Sequence, residues 1–71
     1  MTDWYECRNQ LRPGMVFRDL EGDLVMLDRT VPGDATQWYV AVWTGRGWCY
    51  DDNTIEPGDL QTSEADPAKA A

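Results

Sequence analysis

The chain has 71 residues, enough for one small domain, and combines 42% hydrophobic residues with a formal net charge of −7. It contains no histidine, which excludes imidazole-based catalysis and imidazole metal ligands. The acidic balance argues against nucleic acid or an anionic membrane as a direct partner, because binding to either depends on lysine and arginine.

The first predicted element is a short helix over residues 3–11. Trp4, Cys7 and Leu11 recur at helical spacing and would share one face of this helix. Nine residues are too few for a helix that is stable alone, so we expect it to pack on the rest of the domain. The Pro13-Gly14 pair then ends it.

Five short strands follow the predicted helix, at residues 15–20, 24–29, 37–43, 48–50 and 59–61. A glycine-bearing turn at 21–23 would join the first two strands in a hairpin. A four-residue loop at 44–47 would place Trp43 opposite Trp48. The segment 62–71 has no large apolar residue and is predicted to be a disordered, acidic and alanine-rich tail, so the domain would cover residues 1–61.

Short strands with regular turn spacing are typical of a sandwich or a barrel. The chain is too short for a sandwich, which has about 100 residues. We therefore predict an all-β fold with a minor α part. It would be a small, five-stranded, strongly bent sheet or a barrel, with the short N-terminal helix packed on it.

Two segments, LRPGMVF at 11–17 and IEPGDL at 55–60, flank the predicted strands. The first resembles the L-x-P-G-D-x-V opening of the Src-homology-3-like small β-barrels, with Met15 in place of the usual aspartate. The second resembles their closing segment, a short helical turn before the final strand. The resemblance covers residues 11–61. It implies the fold and a non-catalytic binding module but no particular activity, because this superfamily hosts many unrelated functions.

Side chains alternate between the two faces of the hairpin at 37–50. One face is largely aliphatic and is predicted to be the interior, with Trp38, Val40, Val42 and Cys49 packed against Phe17, Val25, Leu27, Ile55 and Leu60. The other face is aromatic and is our candidate protein-binding surface, formed by Tyr39, Trp43, Trp48 and Tyr50. Two alternatives stay open: the N-terminal helix covers these aromatic residues, or a β-bulge reverses the two faces.

Acidic residues lie mainly within the predicted domain, since residues 15–60 contain nine acids and three bases. We predict an acidic rim beside the aromatic face, formed by Asp19, Glu21, Asp23, Asp28, Asp51 and Asp52. Such a rim favours a basic protein partner, although the charge can also serve solubility alone. The acids at 51, 52 and 59 lack the spacing of a calcium loop, so we predict neither a metal nor a cofactor.

These patterns predict a small non-enzymatic protein-interaction module, an accessory protein of a bacterium or a phage, either monomeric or weakly self-associating. No apolar segment follows the first residue, so we expect a cytoplasmic protein in which Cys7 and Cys49 are free and mostly buried thiols. The runner-up is an acidic DNA mimic, an anti-CRISPR or anti-restriction type of inhibitor. An aromatic cage for a methylated lysine and a self-assembling subunit are weaker alternatives.

Overall fold

The computed structural model describes residues 3–69, with only the backbone at position 35. Its strands are β1 (Val16–Arg18), β2 (Leu24–Val31), β3 (Asp34–Trp43), β4 (Trp48–Cys49), β5 (Thr54–Ile55) and β6 (Ser63–Glu64). Two 3-10 helices accompany them, at Arg8–Gln10 and Pro57–Asp59. The second is the short helical turn expected before the final strand, but the strand predicted at 59–61 is not formed, because Asp59 belongs to the 3-10 helix and the next strand is β6. The protein is therefore mostly β.

All six strands belong to one antiparallel sheet in the order β4-β3-β2-β1-β6, with β5 paired to β3. β3 is central because it pairs with β2 along one side and with both β4 and β5 along the other. Within residues 3–69, β4 and β6 do not pair with each other, so the sheet is open and of the two predicted forms, a bent sheet or a barrel, the barrel is not formed. Each of these two end strands has only two residues, which leaves few backbone groups for closure.

The turn between β1 and β2 forms as predicted. Gly22 has a φ of 85°, a left-handed conformation that glycine adopts without the steric cost of a Cβ. The carboxylate of Asp19 accepts hydrogen bonds from the backbone N–H groups of Glu21 and Asp23, each at 2.9 Å. We call this segment the 19–23 turn. Both hydrogen bonds go to the side chain of Asp19, so one residue fixes the shape of the turn.

The core lies on the predicted inner face of the sheet. Its buried cluster contains Leu11, Phe17, Val25, Leu27, Trp38, Val40 and Leu60, and Val42 and Ile55 pack partly buried against it. Each fully buried valine, leucine or phenylalanine contributes about 1.5–3 kcal/mol to folding stability, because its apolar surface is removed from water. The prediction is wrong for Cys49, which is exposed because β4 is an end strand beyond the core. The other thiol, Cys7, is half-buried, and both are free.

The predicted N-terminal helix is not formed: the chain makes a turn and then the 3-10 helix Arg8–Gln10. The segment nevertheless packs on the core, since Leu11 is buried and Trp4 lies against the buried cluster. The indole of Trp4 donates to the carbonyl of Gln61 over 3.0 Å. In so short a segment, these contacts of Leu11 and Trp4 determine the backbone conformation more than helix propensity does. No helix within residues 3–69 has the length and apolar character that a bilayer span requires.

Residues after 61, expected to be a disordered tail, include β6 in the structure. Glu64 is opposite Val16, and Ser63 is opposite Phe17. Strand pairing uses backbone groups, so a segment without large apolar residues can still add to the free edge of β1. Positions 70 and 71 of the predicted tail lie outside the described residues.

Candidate functional site

A cleft of about 430 Å³ opens between the 19–23 turn and the segment 53–59. Its floor is aliphatic and consists of Val25, Val40, Val42 and Ile55. The three valines belong to the inner face of the sheet, where Val25 pairs with Val42 across β2 and β3. The cleft is therefore the open end of the hydrophobic core.

The rim of this cleft carries four carboxylates, from Asp19, Glu21, Asp23 and Asp59. The first three belong to the predicted acidic rim, and the structure brings them together. The other three predicted rim residues, Asp28, Asp51 and Asp52, do not line the cleft. Sequence reasoning omitted Asp59 from the rim, because its place depends on the 3-10 helix Pro57–Asp59 folding back toward the 19–23 turn.

The carboxylates of the rim differ in what they already bind. Asp19 uses one oxygen to hold the backbone of its own turn. Among the described residues, the side chains of Glu21, Asp23 and Asp59 form no salt bridge; the pair that does form joins Arg18 and Glu64. No arginine or lysine of the described part of the chain lines the cleft. A negatively charged cleft with low-dielectric walls concentrates cations near it.

Leu20 adds an apolar side chain to the acidic rim. It is 67% exposed, more than Tyr5 or Tyr50, the other exposed large hydrophobic side chains within residues 3–69. An exposed leucine beside carboxylates is suited to a partner with both apolar and cationic groups. Within residues 3–69, no cluster of acids or cysteines is arranged to hold a metal ion. The carboxylates of the rim and the aliphatic floor together can bind an organic cation that has an apolar part.

The four residues of the predicted aromatic face make different contacts. Trp43 and Trp48 lie opposite each other and pack edge to face, with ring centroids 5.2 Å apart. The guanidinium of Arg29 covers the ring of Tyr39 at 4.7 Å from its centroid. Tyr50 is 60% exposed and lies beyond the end of β4. The structure thus brings Trp43 and Trp48 into direct ring contact and places Arg29 on Tyr39.

The C-terminal segment, and not the N-terminal one, contacts this face. Trp48 donates a hydrogen bond from Nε1 to Oδ1 of Asp66 over 3.1 Å. Ala41, which shares the face by alternation, is fully buried. Trp4, by contrast, packs on Phe17 at the core. The aromatic face is thus partly covered by a segment in which no local pattern predicts such a contact.

Two titratable groups outside the cleft have shifted pKa values. The side-chain and backbone hydrogen bonds from Thr36 to the carboxylate of Asp34 lower the pKa of that carboxyl. The carboxylate of Asp51 raises the pKa of the Cys49 thiol, through a hydrogen bond and through its negative charge. Both groups are at the surface, so each shift describes a local contact and not a buried site.

Comparison with protein-family models, with curated proteins and with solved structures finds no match. The resemblance of residues 11–17 and 55–60 to Src-homology-3-like barrels therefore stays a prediction.

Proposed function

We propose that the protein is a non-enzymatic binding module that holds a basic segment of a protein partner in the acidic cleft. The observation that carries this proposal is the combination of four rim carboxylates with an aliphatic floor in a single cleft. A merely solvated acidic surface has no need of an apolar floor.

Lysine and arginine have side chains whose two parts match the two parts of the cleft. Each has an aliphatic stem and a charged head, and each can bury the stem while its head stays among polar groups. The half-buried Val42 and Ile55 offer apolar surface for the stem, and Glu21 and Asp23 offer carboxylates for the head. The exposed Leu20 would contact an apolar residue of the same segment.

Electrostatics support a basic partner at longer range as well. The whole chain carries a formal charge of −7. Complementary charge accelerates encounter and selects the partner more than it adds affinity. Exposed charges are screened over about 8 Å at physiological ionic strength, so binding should weaken steadily as salt is added.

A calorimetric titration with a synthetic peptide of alternating lysine or arginine and small apolar residues tests the proposal. The double variant Glu21→Gln/Asp23→Asn should weaken binding about tenfold, since each exposed ionic contact is worth about 0.2–1 kcal/mol. The matched control Asp28→Asn/Asp52→Asn removes the same charge outside the cleft and should change affinity less than about twofold.

Two results would contradict the proposal. If both double variants weaken the peptide equally, the attraction is a general effect of net charge and the cleft has no special part. If the wild-type protein does not bind the peptide at low salt, a basic segment is not its ligand.

The DNA-mimic hypothesis remains a prediction, and the apolar floor makes us favour the peptide-binding module over it. A mimic needs carboxylates in rows spaced like phosphates, but it does not need an aliphatic cleft. It also predicts that the protein competes with duplex DNA for a nucleic-acid-binding protein. In that competition, Asp28 and Asp52 should matter as much as the cleft residues.

A further inference from the structure

Arg18 connects the C-terminal segment to the turn that carries the acidic rim. Its Nη1 donates to the carbonyl of Gly22, at the tip of the 19–23 turn, over 2.7 Å. Its Nε lies 3.7 Å from Oε1 of Glu64 in β6. One guanidinium therefore contacts both the rim of the cleft and the last strand of the sheet.

Backbone contacts strengthen the same connection. The N–H of Arg18 donates to the carbonyl of Thr62 over 2.9 Å, and the N–H of Gln61 donates to the carbonyl of Arg18 over 2.8 Å. Beyond β6, Asp66 accepts the hydrogen bond from Trp48 and a second one from the N–H of Ala68. The segment 61–68 is thus attached near Arg18 at one end and to the aromatic pair at the other.

We propose that the docked segment 61–68 sets the binding competence of the acidic cleft, with Arg18 as the positioning residue between them. While the segment is docked, Glu64 helps to orient the guanidinium, and the guanidinium holds the carbonyl of Gly22. Release of the segment frees the guanidinium, loosens the 19–23 turn and weakens binding of a basic segment. The effect on binding rests on the proposed function, whereas the effect on the turn does not.

The turn offers a readout that needs no ligand. The amide hydrogens of Glu21 and Asp23 are bonded to the carboxylate of Asp19, so their exchange with solvent measures how often the turn opens. NMR hydrogen exchange would follow these two amides. The amide of Leu27, in the paired part of β2, would report whether the whole fold opens.

Four variants of the C-terminal segment test the connection. Glu64→Gln removes the ion pair and Asp66→Ala removes the acceptor for Trp48. Each should raise exchange at the two turn amides by about two- to fivefold, the range expected for one exposed ionic contact or its equivalent. Asp66→Asn keeps an oxygen acceptor and should behave as wild type. Ser63→Ala, in the same strand, is the matched control and should change nothing.

Titration of the lysine and arginine peptide into the same variants separates the two proposals. Parallel losses of peptide affinity in Glu64→Gln and Asp66→Ala, with Leu27 unaffected, support the regulation. Faster exchange in the turn together with a wild-type protein that binds no peptide would refute the proposed function but keep the connection. The proposed connection would be overturned if the amides of Glu21 and Asp23 exchange as slowly in Glu64→Gln and Asp66→Ala as in the Ser63→Ala control. It would also be overturned if their exchange rises only together with exchange at Leu27.

Discussion

The indole of Trp4 and the ring of Phe17 pack edge to face, with 4.8 Å between ring centroids and 69° between ring planes. Its Nε1 also donates to the carbonyl of Gln61 over 3.0 Å. One residue near the start of the chain thus joins β1 and the segment that precedes β6. Edge-to-face packing adds about 0.5–1.5 kcal/mol to the burial of such a pair.

Replacement of Trp4 should therefore cost much of the small domain's stability. Trp4→Ala should lower the free energy of unfolding by about 3 kcal/mol through the cavity that it leaves. Trp4→Phe keeps a ring and loses the hydrogen bond, so it should cost about 1 kcal/mol. Urea unfolding followed by circular dichroism measures both. The exposed neighbour Tyr5 is the control, and equal losses for Trp4→Ala and Tyr5→Ala would contradict this packing.

Gly22→Ala should destabilise the protein by about 1–2 kcal/mol, because a Cβ disfavours the left-handed backbone at this position. Nothing lies within 4 Å of a Cβ built there, so the cost comes from the backbone alone. Gly47 has equally open surroundings without a positive φ and is the matched control. Thermal unfolding of the two alanine variants compares them. Similar melting temperatures for both would show that the 19–23 turn adopts another shape.

Asp34 should titrate below its ordinary pKa of 3.8, because its ionised form accepts two hydrogen bonds from Thr36. A lowered folded-state pKa stabilises the protein above the ordinary value, and this contribution is lost as the pH falls through the folded pKa. Thr36→Val should raise the pKa of Asp34, whereas Thr36→Ser should leave it low. Carboxyl chemical shifts measured against pH decide between them, and equal values in all three proteins would contradict the contact.

Cys49 should react slowly with alkylating reagents for so exposed a thiol. Its Sγ lies 3.5 Å from Oδ2 of Asp51, and the carboxylate raises the pKa of the thiol by disfavouring the thiolate, which is the reactive form. In a Cys7→Ser background, Asp51→Asn should move the pH profile of iodoacetamide labelling to lower pH. Asp52→Asn should not move it. Equal shifts in both variants would assign the effect to general charge.

Local sequence signals predicted the parts of the fold that depend on neighbours in the chain. The four-residue loop placed Trp43 opposite Trp48, and the glycine of the 19–23 turn closed the first hairpin, as found. Alternation identified the inner face of β3, where Trp38 and Val40 are buried.

Long-range contacts explain what the sequence did not predict. The predicted N-terminal helix is replaced by a turn in which Trp4 donates a hydrogen bond to the carbonyl of Gln61, 57 residues away in the sequence. Asp66 lies in a segment with no apolar period, so nothing local indicates its contact with Trp48. The cleft could not be predicted for the same reason, since its acids come from two segments that are distant in the sequence, the 19–23 turn and Pro57–Asp59.

The most direct test of the account is an NMR titration of the labelled protein with the lysine and arginine peptide. Binding in the acidic cleft predicts chemical-shift changes concentrated in the amides of residues 19–23 and 53–59 and on the methyl groups of Val25 and Val42. Changes centred instead on the Trp43 and Trp48 indoles, or spread evenly over Asp28 and Asp52, would contradict it.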